Sequence, residues 1–200
     1  MLIAQAEFVK SSVTYRDCPP PSFPEYAFIG RSNVGKSSLI NMLTNHKKLA
    51  KISSTPGKTQ LINHFLINGS WYLTDLPGFG FAKVPVQIKK KWEKMIKDYL
   101  ENRENLVCTF LLIDIRHEPL ANDMQFLDWL GTRQLPFHIV FTKSDKLGKN
   151  KLQSNLAAYG KRFSQTWDPL PPHIVSSSEN GLGKEEILKR ISEWNAGFVR

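Results

Sequence analysis

Tyr26-Ala27-Phe28-Ile29-Gly30-Arg31-Ser32-Asn33-Val34-Gly35-Lys36-Ser37-Ser38 decides the fold of this chain. The first four residues form a short apolar run that reads as a buried strand. Gly30 to Ser37 then fit G-x-x-x-x-G-K-[ST], a loop whose glycines let successive N–H groups turn toward phosphate oxygens. The helix that begins after Gly35 presents an N-terminus, which favours an anion. Every residue of the loop, from Gly30, Arg31, Ser32, Asn33 and Val34 to Gly35, Lys36, Ser37 and Ser38, is a candidate nucleotide contact. Lys36 suits the β- and γ-phosphates, and the Ser37 hydroxyl suits Mg²⁺.

Outward from this loop, apolar runs alternate with longer amphipathic stretches. Strand candidates are 26–30, 61–67, 71–75, 107–114, 137–142 and 173–176, with helices after Gly35 and over 86–103, 122–132, 149–164 and 184–194. Such alternation predicts a three-layer α/β fold with a mostly parallel six-stranded sheet and helices on both faces. Asn68-Gly69 is a hairpin signal, so one strand should run antiparallel. Residues 1–22, with prolines at 19, 20 and 21, read as an N-terminal extension to a domain over 23–200.

A chain of 200 residues with 41% hydrophobic and 22% charged residues suits one soluble domain. No apolar run is long enough to span a bilayer, and the start lacks a secretory pattern, so a cytoplasmic protein without membrane contact is expected. Cys18 and Cys108 have no metal-ligand spacing. The net charge of +9 attracts polyanions. Lysines at 83, 89, 90, 91, 94 and 97 surround a helical stripe of Ile88, Trp92, Met95, Ile96 and Tyr99, read as a core helix with a basic outer face that suits RNA.

Four further segments narrow the phosphate loop to a guanine nucleotide. Thr142-Lys143-Ser144-Asp145 has the [NT]-K-x-D form: Asp145 can accept from guanine N1–H and the exocyclic amine, a pair adenine lacks, while the Lys143 stem lies along the base. Asp75-Leu76-Pro77-Gly78 supplies a carboxylate for Mg²⁺, acting through water, and a Gly78 N–H for the γ-phosphate. The polar loop 53–60 offers Thr55 and Thr59 as Mg²⁺ ligands, with Thr59 preferred, and brings Gly57, Lys58, Gln60 and Leu61 to the nucleotide. Ser176-Ser177-Ser178 follows the last strand and suits backbone contact with guanine O6.

With these segments in order, the chain resembles the EngB (YihA/YsxC) group of bacterial P-loop GTPases, in the TrmE-Era-EngA-EngB-Septin-like class. The narrower likeness rests on residues 30–37, Thr55-Pro56-Gly57-Lys58-Thr59-Gln60, Asp75-Leu76-Pro77-Gly78-Phe79-Gly80, Asp114-Ile115-Arg116-His117 and Thr142-Lys143-Ser144-Asp145. It spans about residues 23–194. The resemblance implies a Ras-like G domain hydrolysing GTP to GDP, a role in late assembly of the large ribosomal subunit with rRNA and ribosomal proteins as partners, and a need for the protein in cell division and septation. A monomer is expected. Phe79 stands where Ras-like proteins carry a water-orienting glutamine, which predicts slow intrinsic turnover. Lys36, Asn33 and Gly78 are the catalytic candidates, Asn33 because several relatives lacking that glutamine hold K⁺ with this asparagine. An ATPase or small-molecule kinase, and a scaffold holding GTP as a structural ligand, are the competing readings.

Overall fold

The structure, a computed structural model, describes residues 1–46, 49–50, 61–80 and 86–198. Its elements run β1 (Ala6–Ser12), β2 (Glu25–Gly30), α1 (Lys36–Thr44), β3 (Ile62–Ile67), β4 (Trp71–Asp75), α2 (Val86–Asn102), β5 (Leu106–Asp114), α3 (Ala121–Thr132), β6 (Phe137–Thr142), α4 (Lys149–Phe163), β7 (His173–Val175) and α5 (Lys184–Ala196). Among the described residues one sheet holds seven strands in the order β1-β3-β4-β2-β5-β6-β7. Only β3 runs against the others: it pairs antiparallel with β1 and β4, and the remaining neighbours are parallel.

Side chains alternate across the pleat, so the central strands feed two cores. Tyr26 and Phe28 of β2, with Phe110 of β5, pack under α1 and α5, while Ala27, Ile29 and Leu111 pack under α2, α3 and α4. The β3–β4 hairpin turns on Asn68 (φ 49°) and Gly69 (φ 60°), the positive pair that a tight primed turn requires.

The predicted six strands become seven. The stretch read as an extension supplies β1, which pairs with β3 from Ala6 opposite Ile67 to Ser12 opposite Ile62. The Asn68 side chain clamps its start, accepting from the Ala4 and Gln5 N–H groups at 2.9 and 3.0 Å and donating to the Leu2 carbonyl at 2.8 Å. The stripe on α2 is core only in part. Ile96 and Tyr99 are buried, whereas Ile88 is 40% exposed, so the first half of this helix offers apolar surface to solvent.

Candidate functional site

The carboxyl ends of the parallel strands converge at one rim of the sheet. Gly30 ends β2, Asp75 ends β4, Asp114 ends β5 and Thr142 ends β6. Connections leave β2 and β4 toward opposite sides of the sheet, the arrangement that opens a crevice in doubly wound folds.

The loop from Gly30 to Ser37 is shaped by close backbone approach. A Cβ on Gly30 would meet the Leu112 carbonyl oxygen at 2.6 Å, and one on Gly78 would meet the Gly30 carbonyl at 3.1 Å and the Ser32 nitrogen at 3.2 Å. Asn33 (φ 61°) and Gly35 (φ 103°) take left-handed backbone. The first bond within α1 runs from Leu39 N–H to the Gly35 carbonyl at 2.9 Å, so the amides of Lys36, Ser37 and Ser38 head the helix as donors outside its ladder. The Lys36 ammonium pairs with the Asp75 carboxylate. A lysine, a hydroxyl at Ser37, a buried carboxylate at Asp75 and these amides suit a magnesium-bound polyphosphate, because Mg²⁺ takes few protein oxygens when phosphates supply others. Among the described residues no group of three or more His, Cys, Asp or Glu side chains could hold a metal by itself.

The segment after Asp75 is zipped to the phosphate loop. Phe79 N–H donates to the Gly30 carbonyl at 3.1 Å, and Ser32 N–H to the Phe79 carbonyl at 3.3 Å. The Phe79 ring stacks on Phe126 of α3 with centroids 4.6 Å apart. Leu76 is core and Pro77 is buried, so only the backbone of these two can face a ligand.

A cleft of about 760 Å³ runs from Gly35 and Ser38 past Thr142, Lys143 and Asp145 to Ser178. Lys143 (φ 62°) extends its stem along this cleft and its ammonium reaches the Asn33 carbonyl at 2.6 Å and Asp114 Oδ2 at 2.9 Å. Ser177 Oγ donates to Asp145 Oδ1 at 2.7 Å, and the Lys146 ammonium lies 2.9 Å from Oδ2. The Ser177 bond, with Lys146 second, lowers the Asp145 carboxyl from its usual value and keeps it an acceptor. Ser144 Oγ donates to the Ser176 carbonyl at 2.9 Å, tying the two base-end loops together. Burial alone would raise the Asp114 carboxyl; hydrogen bonds from Arg116 and Lys143 outweigh it and hold it at about 2.

The predicted residues divide in three. Residues 30–38, Asp75, Gly78, Thr142–Asp145 and Ser177–Ser178 come together at this rim. Ser176 is fully buried, so only its backbone can face a ligand, and Leu61 is exposed just before β3. Thr55, Gly57, Lys58, Thr59 and Gln60, with Lys83, lie outside the described residues. Two features escaped the sequence. The Arg31 side chain leaves the loop and reaches the buried Asp123 of α3 at 3.1 Å. At the opposite end of the sheet, Glu25 is fully buried: it accepts from Thr74 Oγ1 at 2.9 Å, Arg103 Nη2 at 2.7 Å and Asn105 Nδ2 at 3.2 Å, bonds Tyr99, and lies 3.0 Å from His64 Nε2.

The family described as 50S ribosome-binding GTPase matches residues 25–143. A protein of Flavobacterium johnsoniae described as a probable GTP-binding protein EngB is 54% identical over 98% of this chain and 93% of its own length. A Bacteroides fragilis protein with the same description is 52% identical over 98% and 97%. The crystal structure of a probable GTP-binding protein EngB superposes with a TM-score of 0.69 at 26% identity, covering 87% of this chain and all 100% of that one. An Era protein of Aquifex aeolicus, solved with GDP and AlF4⁻, superposes at 0.67 with 22% identity over 86% of this chain and 56% of its own, a likeness of fold. The chain is a GTPase and belongs to the 50S ribosome-binding GTPase family, within its EngB group.

Proposed function

We propose that this GTPase is a cytoplasmic, monomeric switch in late assembly of the large ribosomal subunit, and that cell division and septation depend on it. The observation that carries the nucleotide part is the Asp145 carboxylate, set by Ser177 at the rim of the cleft that begins at Gly35. The ribosomal part is supported by the description of the matched family and by the net charge of +9.

In this reading a water attacks the γ-phosphate in line, giving GDP and phosphate. Lys36 and the loop amides stabilise charge developing on the phosphate oxygens. Gly78 N–H meets the γ-phosphate, and Asp145 with the backbone of Ser177 and Ser178 selects guanine. Ser37, Asp75 through water, and Thr59 would hold Mg²⁺, which would neutralise part of the phosphate charge. Phe79, stacked on Phe126, can neither donate nor accept a hydrogen bond through its side chain, so nothing at the position after Gly78 orients the water. Slow intrinsic turnover and activation by the ribosomal particle follow. Asn33 is the candidate for holding K⁺ beside the phosphates; hydrolysis in K⁺ and Na⁺ buffers of matched ionic strength tests it, and equal rates remove it.

Co-sedimentation with large ribosomal subunits, in GDP and in a non-hydrolysable GTP analogue across a salt series, tests the switch. Triphosphate-dependent binding that weakens steeply with salt is expected. Equal binding in both nucleotides would overturn it.

A further inference from the structure

A second concave surface lies beside the nucleotide rim, between α2 and α3. It encloses about 200 Å³ and is lined on one side by Lys89 and Lys97 and on the other by Phe126 and Trp129, with Phe79 at its base. The aromatics form one continuous group: Phe79 stacks on Phe126, and Phe126 meets Trp129 at 5.6 Å and 42°. Phe126 and Trp129 are only partly buried. The Lys97 ammonium sits 5.2 Å from the centre of the Trp129 ring.

Charge favours an anionic occupant. Glu93 also lines the groove and offsets Lys89 at 3.7 Å, and Asp98 takes Lys94 at 2.7 Å. Among the described residues Lys90, Lys91 and Lys97 have no carboxylate within ion-pair distance, and all three are exposed. Of the two lysines that line the groove, Lys97 has no carboxylate within ion-pair distance among the described residues, and Lys89 has only the exposed Glu93 at 3.7 Å, a pair that water screens. Aromatic rings beside such lysines are the chemistry that holds single-stranded nucleic acid: bases stack on the rings while the ammonium groups meet phosphates. A cation over an indole adds to such a platform. An acidic peptide would use the lysines and leave the aromatic wall without a stacking partner.

We propose that the α2–α3 groove is an RNA-docking surface that takes an unpaired base against Phe126 and Trp129 and its flanking phosphates on Lys89 and Lys97. The proposal rests on the ribosomal reading above and names the face that would meet ribosomal RNA. Phe79 is shared between the base of the groove and the segment after Gly78, so a ligand here touches the part of the chain that faces the γ-phosphate in that reading.

The test uses the full chain loaded with the GTP analogue and a fluorescein-labelled, mixed-sequence single-stranded RNA 12-mer, read by anisotropy between 50 and 200 mM KCl, with large-subunit co-sedimentation in parallel. Wild-type protein should bind the RNA. Lys89→Gln/Lys97→Gln should weaken binding about tenfold and flatten the salt slope by about 1.4, at ~0.7 per phosphate contact. Lys161→Gln/Lys189→Gln, which makes the same change of charge on α4 and α5, should do neither. Trp129→Leu should weaken binding about tenfold while Trp129→Phe keeps it, with GDP affinity unchanged in all. If the wild type binds subunits but not the 12-mer, the partner is protein and the RNA assignment is overturned. If the α2 variant binds RNA and subunits as the wild type does, the surface is overturned. Failure of the wild type to bind subunits at all would instead defeat the ribosomal reading.

Discussion

The Thr142 hydroxyl donates to the Val34 carbonyl at 2.6 Å, joining the end of β6 to the middle of the phosphate loop. The loop that would read the purine and the loop that would hold its phosphates are thus one mechanical unit. Thr142→Val removes the donor and leaves a buried carbonyl without this bond, at about 1–3 kcal/mol. Calorimetry should show GDP and GTP affinities falling by a common factor with guanine preference intact, and Thr142→Ser should restore both.

Glu25 anchors the far end of the sheet. Burial by itself would raise its carboxyl, but hydrogen bonds and charge from His64 and Arg103 prevail and hold it at about 2 against an ordinary 4.5. A depressed carboxyl stabilises the fold fully above its unfolded value and loses that contribution as pH falls from 4.5 through 2. Glu25→Gln leaves Arg103 buried without its countercharge, at roughly 3–5 kcal/mol. Denaturant titration at pH 7 should show this loss, and the gap to wild type should narrow as the pH is lowered toward 2.

Asp123 has the opposite sign. Burial dominates, the Arg31 guanidinium compensates only in part, and the carboxyl is pushed up to about 6 from 3.8. The folded state then holds a proton that the unfolded chain has released, so this group's stabilisation is full below 3.8 and is lost as pH rises through 6. Wild-type stability measured from pH 5 to pH 7 should fall relative to Asp123→Asn by about 1–2 kcal/mol. Parallel pH profiles for the two proteins would refute the assignment.

Two glycines should respond in opposite directions to the same substitution. Gly30→Ala drives a Cβ to 2.6 Å from the Leu112 carbonyl and 2.9 Å from Val34 Cγ1, so β2 or the loop must shift. A loss of about 1–3 kcal/mol and weakened nucleotide binding are expected. Gly160 lies inside α4, and a Cβ there meets nothing within 4 Å. Gly160→Ala should raise stability by about 1 kcal/mol. Thermal melts of both variants decide the matter.

The loops of the candidate site were legible because glycine and short polar residues act locally: Gly30, Gly35 and Asp145 sit where their spacing places them after strands. The β3–β4 reversal was legible for the same reason, in Asn68-Gly69. The edge strand β1 was not, because most of its residues are exposed and carry no apolar alternation. Its pairing rests on backbone bonds, the Asn68 clamp, the Ser11 hydroxyl donating to Asn63 at 2.6 Å and Phe8 edge-on to Phe65, none of which a sequence pattern shows. Glu25 was hidden by its charge. A strand reading starts at Tyr26, and the arginine that neutralises Glu25 stands 78 positions away in sequence. Arg31 belongs to the phosphate motif by spacing, but only the fold shows that its side chain serves α3 instead.

Purine choice by Asp145 is the claim on which the account turns. Isothermal calorimetry of wild type and Asp145→Asn with GDP and with xanthosine diphosphate tests it most directly. An amide can donate where the carboxylate only accepts, and xanthine offers a carbonyl where guanine carries its amine. The variant should lose GDP affinity by about 100-fold, the loss of two charge-assisted hydrogen bonds at about 1.5 kcal/mol each, and should gain the xanthine nucleotide. Undiminished preference for GDP in the variant would contradict it.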